Sequence, residues 1–178
     1  MKIFAISDTH FGHDRLVQLS GRPTDFTAKI LVNLSKVGGD LLIHCGDFCI
    51  GQDEHWVGMF KTATANFARK VLVRGNHDKK SDSWYLERGF DHVCEAMLCK
   101  YFGKQILFTH MPVKRDDKYW SPHFPPDFNV HGHLHGSGNH RVAERDASLY
   151  DPAWHKDLAP EIHSYAPVNL ERLIAIKE

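Results

Sequence analysis

The sequence predicts an α/β fold, and three observations carry that expectation. Short apolar runs alternate with amphipathic stretches through the first half of the chain. Most of these runs stop at a turn bearing glycine, aspartate or histidine. The second half changes character and offers closely spaced strand-like runs without long helical patterns between them. Strand–helix alternation predicts parallel strands with helices packed against the sheet.

Lys2 to Ser7 reads as a short buried strand. Thr24 to Val37 reads as an amphipathic helix, because Phe26, Ile30, Leu34 and Val37 recur at helical spacing. Thr24 is its expected N-cap, and Gly38-Gly39 ends it. Asp40 to His44 is a second buried strand, and Asp53 to Phe67 a second helix with Trp56, Phe60 and Phe67 near one face. Lys70 to Arg74 is a third strand. Val93 to Phe102 and Gln105 to Thr109 flank Gly103 and predict a hairpin. Phe128 to Val130 is a short strand, and Arg141 to Ala143 is another candidate. Pro167 to Ile176 reads as a short helix capped by Asn169, with a strand as the alternative. The stretch between His110 and Phe128 holds four prolines and cannot be regular over much of its length.

At 178 residues, one domain covering residues 1–178 is the expectation. Lys plus Arg and Asp plus Glu both number 22, so no basic excess argues for bulk nucleic-acid binding and no polybasic run for a membrane surface. None of the four cysteines pairs at the two-residue gap of a zinc knuckle or redox motif. The opening Met1-Lys2 runs directly into a strand, with no apolar leader region, and no apolar stretch approaches a membrane span. A cytoplasmic protein with reduced cysteines is the expectation.

Five short blocks carry residues that bind divalent metal. They are Asp8-Thr9-His10, Gly46-Asp47, Gly75-Asn76-His77-Asp78, Thr109-His110 and Gly132-His133-Leu134-His135, with His13 trailing the first. Carboxylate, amide and imidazole are the ligand types that hold two adjacent ions and aim a metal-activated nucleophile at phosphorus. In an open α/β sheet the carboxyl ends of the strands share one edge, which would gather these blocks at one rim. Asp8 and His10 are two residues apart and would face the same side of an extended backbone, as would His133 and His135. Each block alone has an ordinary explanation as a turn, cap or surface loop. Their number and order are what point to a metal centre.

These blocks resemble those of the calcineurin-like metallophosphoesterase family: D-x-H, G-D, G-N-H-D, a lone His after a strand, and G-H-x-H, over Met1 to about Gly136. The stretches F-G-H-D at 11–14 and G-R-P at 21–23 look like its small bacterial and phage branch. The resemblance implies a two-sheet β-sandwich flanked by helices, in four αββα layers. It implies that Asp8, His10 and His135 hold a first metal, that Asn76, His110 and His133 hold a second, and that Asp47 bridges them. His77 would face the phosphate and protonate the leaving group, while a hydroxide between the metals attacks in line. The arginine-bearing blocks of the protein serine/threonine phosphatases are absent from the sequence, which argues against a phosphoprotein substrate.

The resulting expectation is a phosphoesterase with two divalent ions, drawn from Mn, Fe, Ni, Co or Zn with Mn favoured. Phosphodiesters are favoured over monoesters, because a dianion calls for additional cations that the sequence does not place. A monoesterase of the same fold and a non-catalytic binding or scaffold module are the alternatives. A nucleotide is among the candidate substrates. Candidate substrate contacts are His13, Arg74, Tyr119 and Trp120, the last two as stacking surfaces. The ordinary reading of Arg74 is a solvated charge beside a turn, and that of the aromatic stretch is a cover over the core. His44, His55, His131 and Cys45 read as structural.

Overall fold

The computed structural model describes residues 1–115, 125–136 and 150–175. Two sheets pack face to face. The first contains β1 (Ile3–Ile6), β2 (Gly39–His44), β3 (Phe67–Val73), β4 (His92–Cys94) and β9 (Val168–Asn169), in the order β4-β3-β2-β1-β9. Strands β1 to β4 are mutually parallel, and β9 closes the edge antiparallel to β1. The second sheet contains β5 (Ala96–Tyr101), β6 (Lys104–Thr109), β7 (Phe128–His131) and β8 (His155–Asp157), in that order. Its β5 and β6 form an antiparallel hairpin, and β6, β7 and β8 run parallel.

The side-chain period of two sorts the strand residues into two cores. Phe4, Ile6, Leu42 and Leu72 face α2 (Phe26–Ser35) and α3 (Asp53–Ala63), against Ile30, Leu34, Val57 and Phe60. Ile3, Ala5, Ile43 and Val73 face the other way, against Ile106, Phe108 and Val130 of the second sheet. Burying an Ile, Leu or Phe side chain contributes about 1.5–3 kcal/mol. Both faces of β1 are filled, which is why it reads as an unbroken apolar run. This is the α/β fold that the sequence predicts, in the two-sheet sandwich flanked by helices that the family resemblance implies. No helix among the described residues is long and apolar enough to cross a membrane.

Several boundaries differ from expectation. Helix α3 ends at Ala63, not Phe67, because the backbone N–H and the hydroxyl of Thr64 both donate to Phe60 O and close the last turn. Phe67 instead starts β3, paired with Gly39. Helix α2 starts after Asp25, which makes no side-chain cap bond, so Thr24 is not its cap. The 93–102 run divides between the sheets: Val93 pairs with Leu72 in the first, while Ala96 onward pairs with β6 in the second. The hairpin turns at Phe102 and Gly103, both at positive φ, a form that suits the strands' twist. The tail is both a strand and a helix: β9 pairs with β1, then Asn169 Oδ1 accepts from Arg172 N to cap α5 (Leu170–Ala175). Two short helices went unread, α1 (Leu16–Leu19) and α4 (Asp82–Glu87). The candidate strand at 141–143 lies outside the described residues.

Candidate metal centre

Strands β1, β2 and β3 of the first sheet and β6 and β7 of the second each lead into one of the five blocks. Residues spread from 8 to 135 therefore meet at one rim. Asp8, His10 and His135 form one cluster, and Asp47, His110 and His133 another; within each, the candidate ligand atoms all lie within 4.8 Å of one another.

In the first cluster the rings of His10 and His135 stack at 5.0 Å. His135 Nε2 lies 4.0 Å, and His10 Nε2 3.9 Å, from Asp8 Oδ1. In the second, His110 Nδ1 donates to Cys45 O at 2.9 Å, which leaves Nε2 with a lone pair when the ring is neutral. That nitrogen faces Asn76 Oδ1 at 3.0 Å, His133 Nδ1 at 3.2 Å and Asp47 Oδ2 at 3.4 Å. Asp47 Oδ2 also lies 3.4 Å from His10 Nε2, so this one carboxylate oxygen touches both groups.

These residues fit divalent cations. Asp8 Oδ1 and both ring nitrogens of His10 are buried without a hydrogen-bond partner. Buried polar atoms left unpaired are costly, and lone pairs that converge without protons between them want a cation. Burial pushes the Asp8 carboxyl pKa up and takes His10 down to about 2. Asp47 behaves otherwise: burial works against its charge, yet the His110 hydrogen bond and charge, the His77 N–H and His10 hold it well below the usual carboxylate range.

Five of the seven candidate ligands, Asp8, His10, Asp47, His133 and His135, have left-handed backbone. This corrects the expected geometry: Asp8 and His10 do not share a side through extended chain, because β1 has ended at Ile6 and the backbone coils. Such conformations cost on the order of 1 kcal/mol or more each and persist where the surroundings impose them. Two glycines make room for the coil. A Cβ on Gly132 would strike Asp8 Oδ2, and one on Gly75 would strike Asp47 Oδ1. Asp78 locks two loops together, with Oδ2 accepting from Asp47 N (2.9 Å) and Gly75 N (2.8 Å) and Oδ1 from Phe48 N (3.0 Å).

The chain is similar to known proteins over most of its length. Residues 1–150 match the model of the calcineurin-like phosphoesterase superfamily domain. The chain belongs to the calcineurin-like phosphoesterases. A crystal structure of a protein of unknown function from Aquifex aeolicus is similar over nearly the whole chain, with 30% identity, a TM-score of 0.73 and coverage of 98% of this chain and 97% of that one. An uncharacterized protein of Methanocaldococcus jannaschii is 23% identical over 99% of this chain and 92% of its own length. YfcE, a phosphoesterase from E. coli, is 19% identical with a TM-score of 0.45, covering 76% of this chain and 70% of its own.

The remaining candidate residues divide. The His77 side chain is 48% exposed, the most open imidazole of the group, with its ring 5.4 Å from that of His10. Its backbone N–H donates to Asp47 Oδ1 at 2.8 Å, and its Nε2 stands 4.0 Å from Asp47 Oδ2. His13 is half-buried beside His10, rings 5.8 Å apart, and its carbonyl also accepts from Leu16 N at the entry to α1. Arg74 departs from the expected substrate contact. It donates to Asp82 Oδ1 (2.9 Å), Asp78 O (2.6 Å) and Lys80 O (2.8 Å), and so braces the turn that carries Asn76 and His77. Tyr119 and Trp120 lie outside the described residues.

Sequence reasoning missed two residues at this rim. Strand β8 also runs parallel to β7, and its C-terminal end leads into the 3-10 turn Pro160–Ile162. There Glu161 Oε1 meets His135 Nδ1 at 3.2 Å and Arg22 Nε at 2.8 Å. Arg22 is 1% exposed, and donates from Nη2 to Asp8 O at 2.8 Å. The available signal for Glu161 was its place just after a strand. That strand, His155-Lys156-Asp157, is buried yet wholly polar, so no apolar run marks it.

Proposed function

We propose that this chain is a phosphoesterase dependent on two divalent metal ions, acting by preference on phosphodiesters. The observation that carries the reading is Asp47 Oδ2, 3.4 Å from a ring nitrogen of His10 and 3.4 Å from one of His110, which joins the two clusters into one site. Asp8, His10 and His135 would hold one ion and Asn76, His110 and His133 the other, with Asp47 shared. Bound there, two such ions would acidify water and offset charge on phosphoryl oxygens.

The chain's own side chains do the rest. Asp78 and Arg74 fix the loops that present Asp47, Asn76 and His77. His77, anchored through its backbone and open at its ring, would give a proton to the departing oxygen. His13 stands beside His10 on the same rim and is a second candidate contact to the ester. The preference for diesters rests on charge. Arg74 is engaged in its turn, and Lys80 Nζ pairs with Asp53 at 3.4 Å. Both already have partners, which leaves less positive charge for the second charge of a monoester.

Release of nitrophenol from bis(4-nitrophenyl) phosphate with added Mn²⁺ tests the reading, with 4-nitrophenyl phosphate run beside it. Faster turnover of the diester supports it, and faster turnover of the monoester would reverse the preference. Tight metal uptake with no turnover of either ester under Mn²⁺, Fe²⁺, Ni²⁺, Co²⁺ or Zn²⁺ would favour a binding module.

A further inference from the structure

We infer that Glu161 and Arg22 are a positioning pair that builds the Asp8/His10/His135 half of the centre and fixes His135 with its proton on Nδ1. This inference rests on the two-metal reading above and adds to it two residues outside the metal-binding blocks.

A neutral imidazole carries one proton on one of two nitrogens, and only the bare nitrogen binds a metal. A carboxylate can only accept. Glu161 Oε1, 3.2 Å from His135 Nδ1, therefore demands the proton at Nδ1. That leaves the lone pair on Nε2, the atom 4.0 Å from Asp8 Oδ1. The opposite tautomer would set the bare Nδ1 against the carboxylate and point an N–H at the metal position. Carboxylate partners of this kind orient metal-bound histidines and raise their basicity.

Arg22 holds the arrangement from behind. Its side chain is buried, and Nε donates to the same Glu161 oxygen at 2.8 Å. Its Nη2 donates to Asp8 O at 2.8 Å and its Nη1 to Thr9 O at 3.4 Å, so the coiled segment between two ligands hangs from one guanidinium. Arg22 Nη2 also approaches His135 Nδ1 at 3.3 Å. With the proton on Nδ1 both atoms are donors, so that approach is not a hydrogen bond, and one of the two Nη2 protons goes to the Asp8 carbonyl. Glu161 thus offsets a buried cation that would otherwise repel a metal ion nearby.

The test is titration of metal-free chain with Zn²⁺ against a competing chelator, in wild type, Glu161→Ala and Glu161→Gln. Wild type should take up two ions. Glu161→Ala should lose about 10- to 100-fold in affinity for one ion and leave the other unchanged. Glu161→Gln keeps an acceptor oxygen and the side-chain volume, and should lose less. Nitrogen-15 spectra of Zn²⁺-loaded wild type should place the His135 proton on Nδ1. Unchanged affinity for both ions in both variants, with only the melting temperature lowered, would overturn the inference and leave the two-metal reading standing. So would a spectrum with Nδ1 bound to zinc. A wild type that takes up no Zn²⁺, Mn²⁺ or other divalent ion would overturn both.

Discussion

Asp47 Oδ2 stands 3.4 Å from His110 Nε2, close enough for the carboxylate to favour the protonated imidazole. Burial alone would lower the His110 pKa. The Asp47 hydrogen bond, the charges of Asp8 and Asp47 and the bond to Cys45 O outweigh it, and raise the pKa to about 9. A histidine with a raised folded-state pKa stabilises the fold fully below its unfolded value of 6.5, and that contribution is lost as pH rises through about 9. A metal bound at His110 must displace that proton. Binding near pH 7.5 should therefore release about one proton from His110, and apparent affinity for that ion should fall about tenfold per pH unit from 9 down to 7. Calorimetry in buffers of different ionisation enthalpy reads this directly. Uptake with no proton release would mean that His110 is already neutral.

The same carboxylate predicts how the two ions depend on each other. Asp47 Oδ2 is equidistant from His10 and His110, at 3.4 Å from each. Asp47→Asn should weaken both ions together, by more than the roughly 100-fold that loss of a supporting partner costs. Metal analysis after dialysis at limiting Mn²⁺ distinguishes the cases. Retention of one ion at wild-type affinity would show that Asp47 serves one cluster only.

Much of this was legible because parallel strands buried on both faces are written as apolar runs. Ile3–Ile6 and Ile106–Thr109 could be placed, and with them the blocks that follow. Phe67 misled, since its spacing from Phe60 suits a helix, while the Thr64 bonds to Phe60 O that end α3 are tertiary detail. Strand β8 was illegible because His155, Lys156 and Asp157 are buried by their neighbours and not by their own hydrophobicity. Arg22 could be noted within G-R-P but its role could not be read, because nothing local shows that two backbone carbonyls and Glu161 await it.

Asp78 offers a stability test that separates scaffold from chemistry. Its carboxylate accepts from Asp47 N, Phe48 N and Gly75 N, and the side chain is 3% exposed. Asp78→Ala strands three N–H groups at a buried loop junction. The expected cost is about 3 kcal/mol or more, a fall in Tm of roughly 6–12 °C for a chain of this size. A melt of the metal-free protein measures it without interference from ligand binding. A change below about 1 kcal/mol would mean that other contacts hold the loops together.

His77 separates chemistry from metal binding. Its ring is 48% exposed beside the buried His10, and its link to the centre runs through its own backbone N–H to Asp47 Oδ1, which alanine at that position keeps. His77→Ala should therefore retain both ions and the fold. It should still lose turnover of a diester by about 10²- to 10⁴-fold, the range that proton transfer by a placed side chain contributes. The deficit should shrink for esters whose leaving group is a weak base, because a good leaving group needs no proton. Metal content and rate, measured on one preparation with two esters of different leaving-group pKa, check all three parts. Loss of metal along with activity would make His77 a ligand. An equal deficit on both esters would make it a stabiliser of phosphoryl charge and not the proton donor.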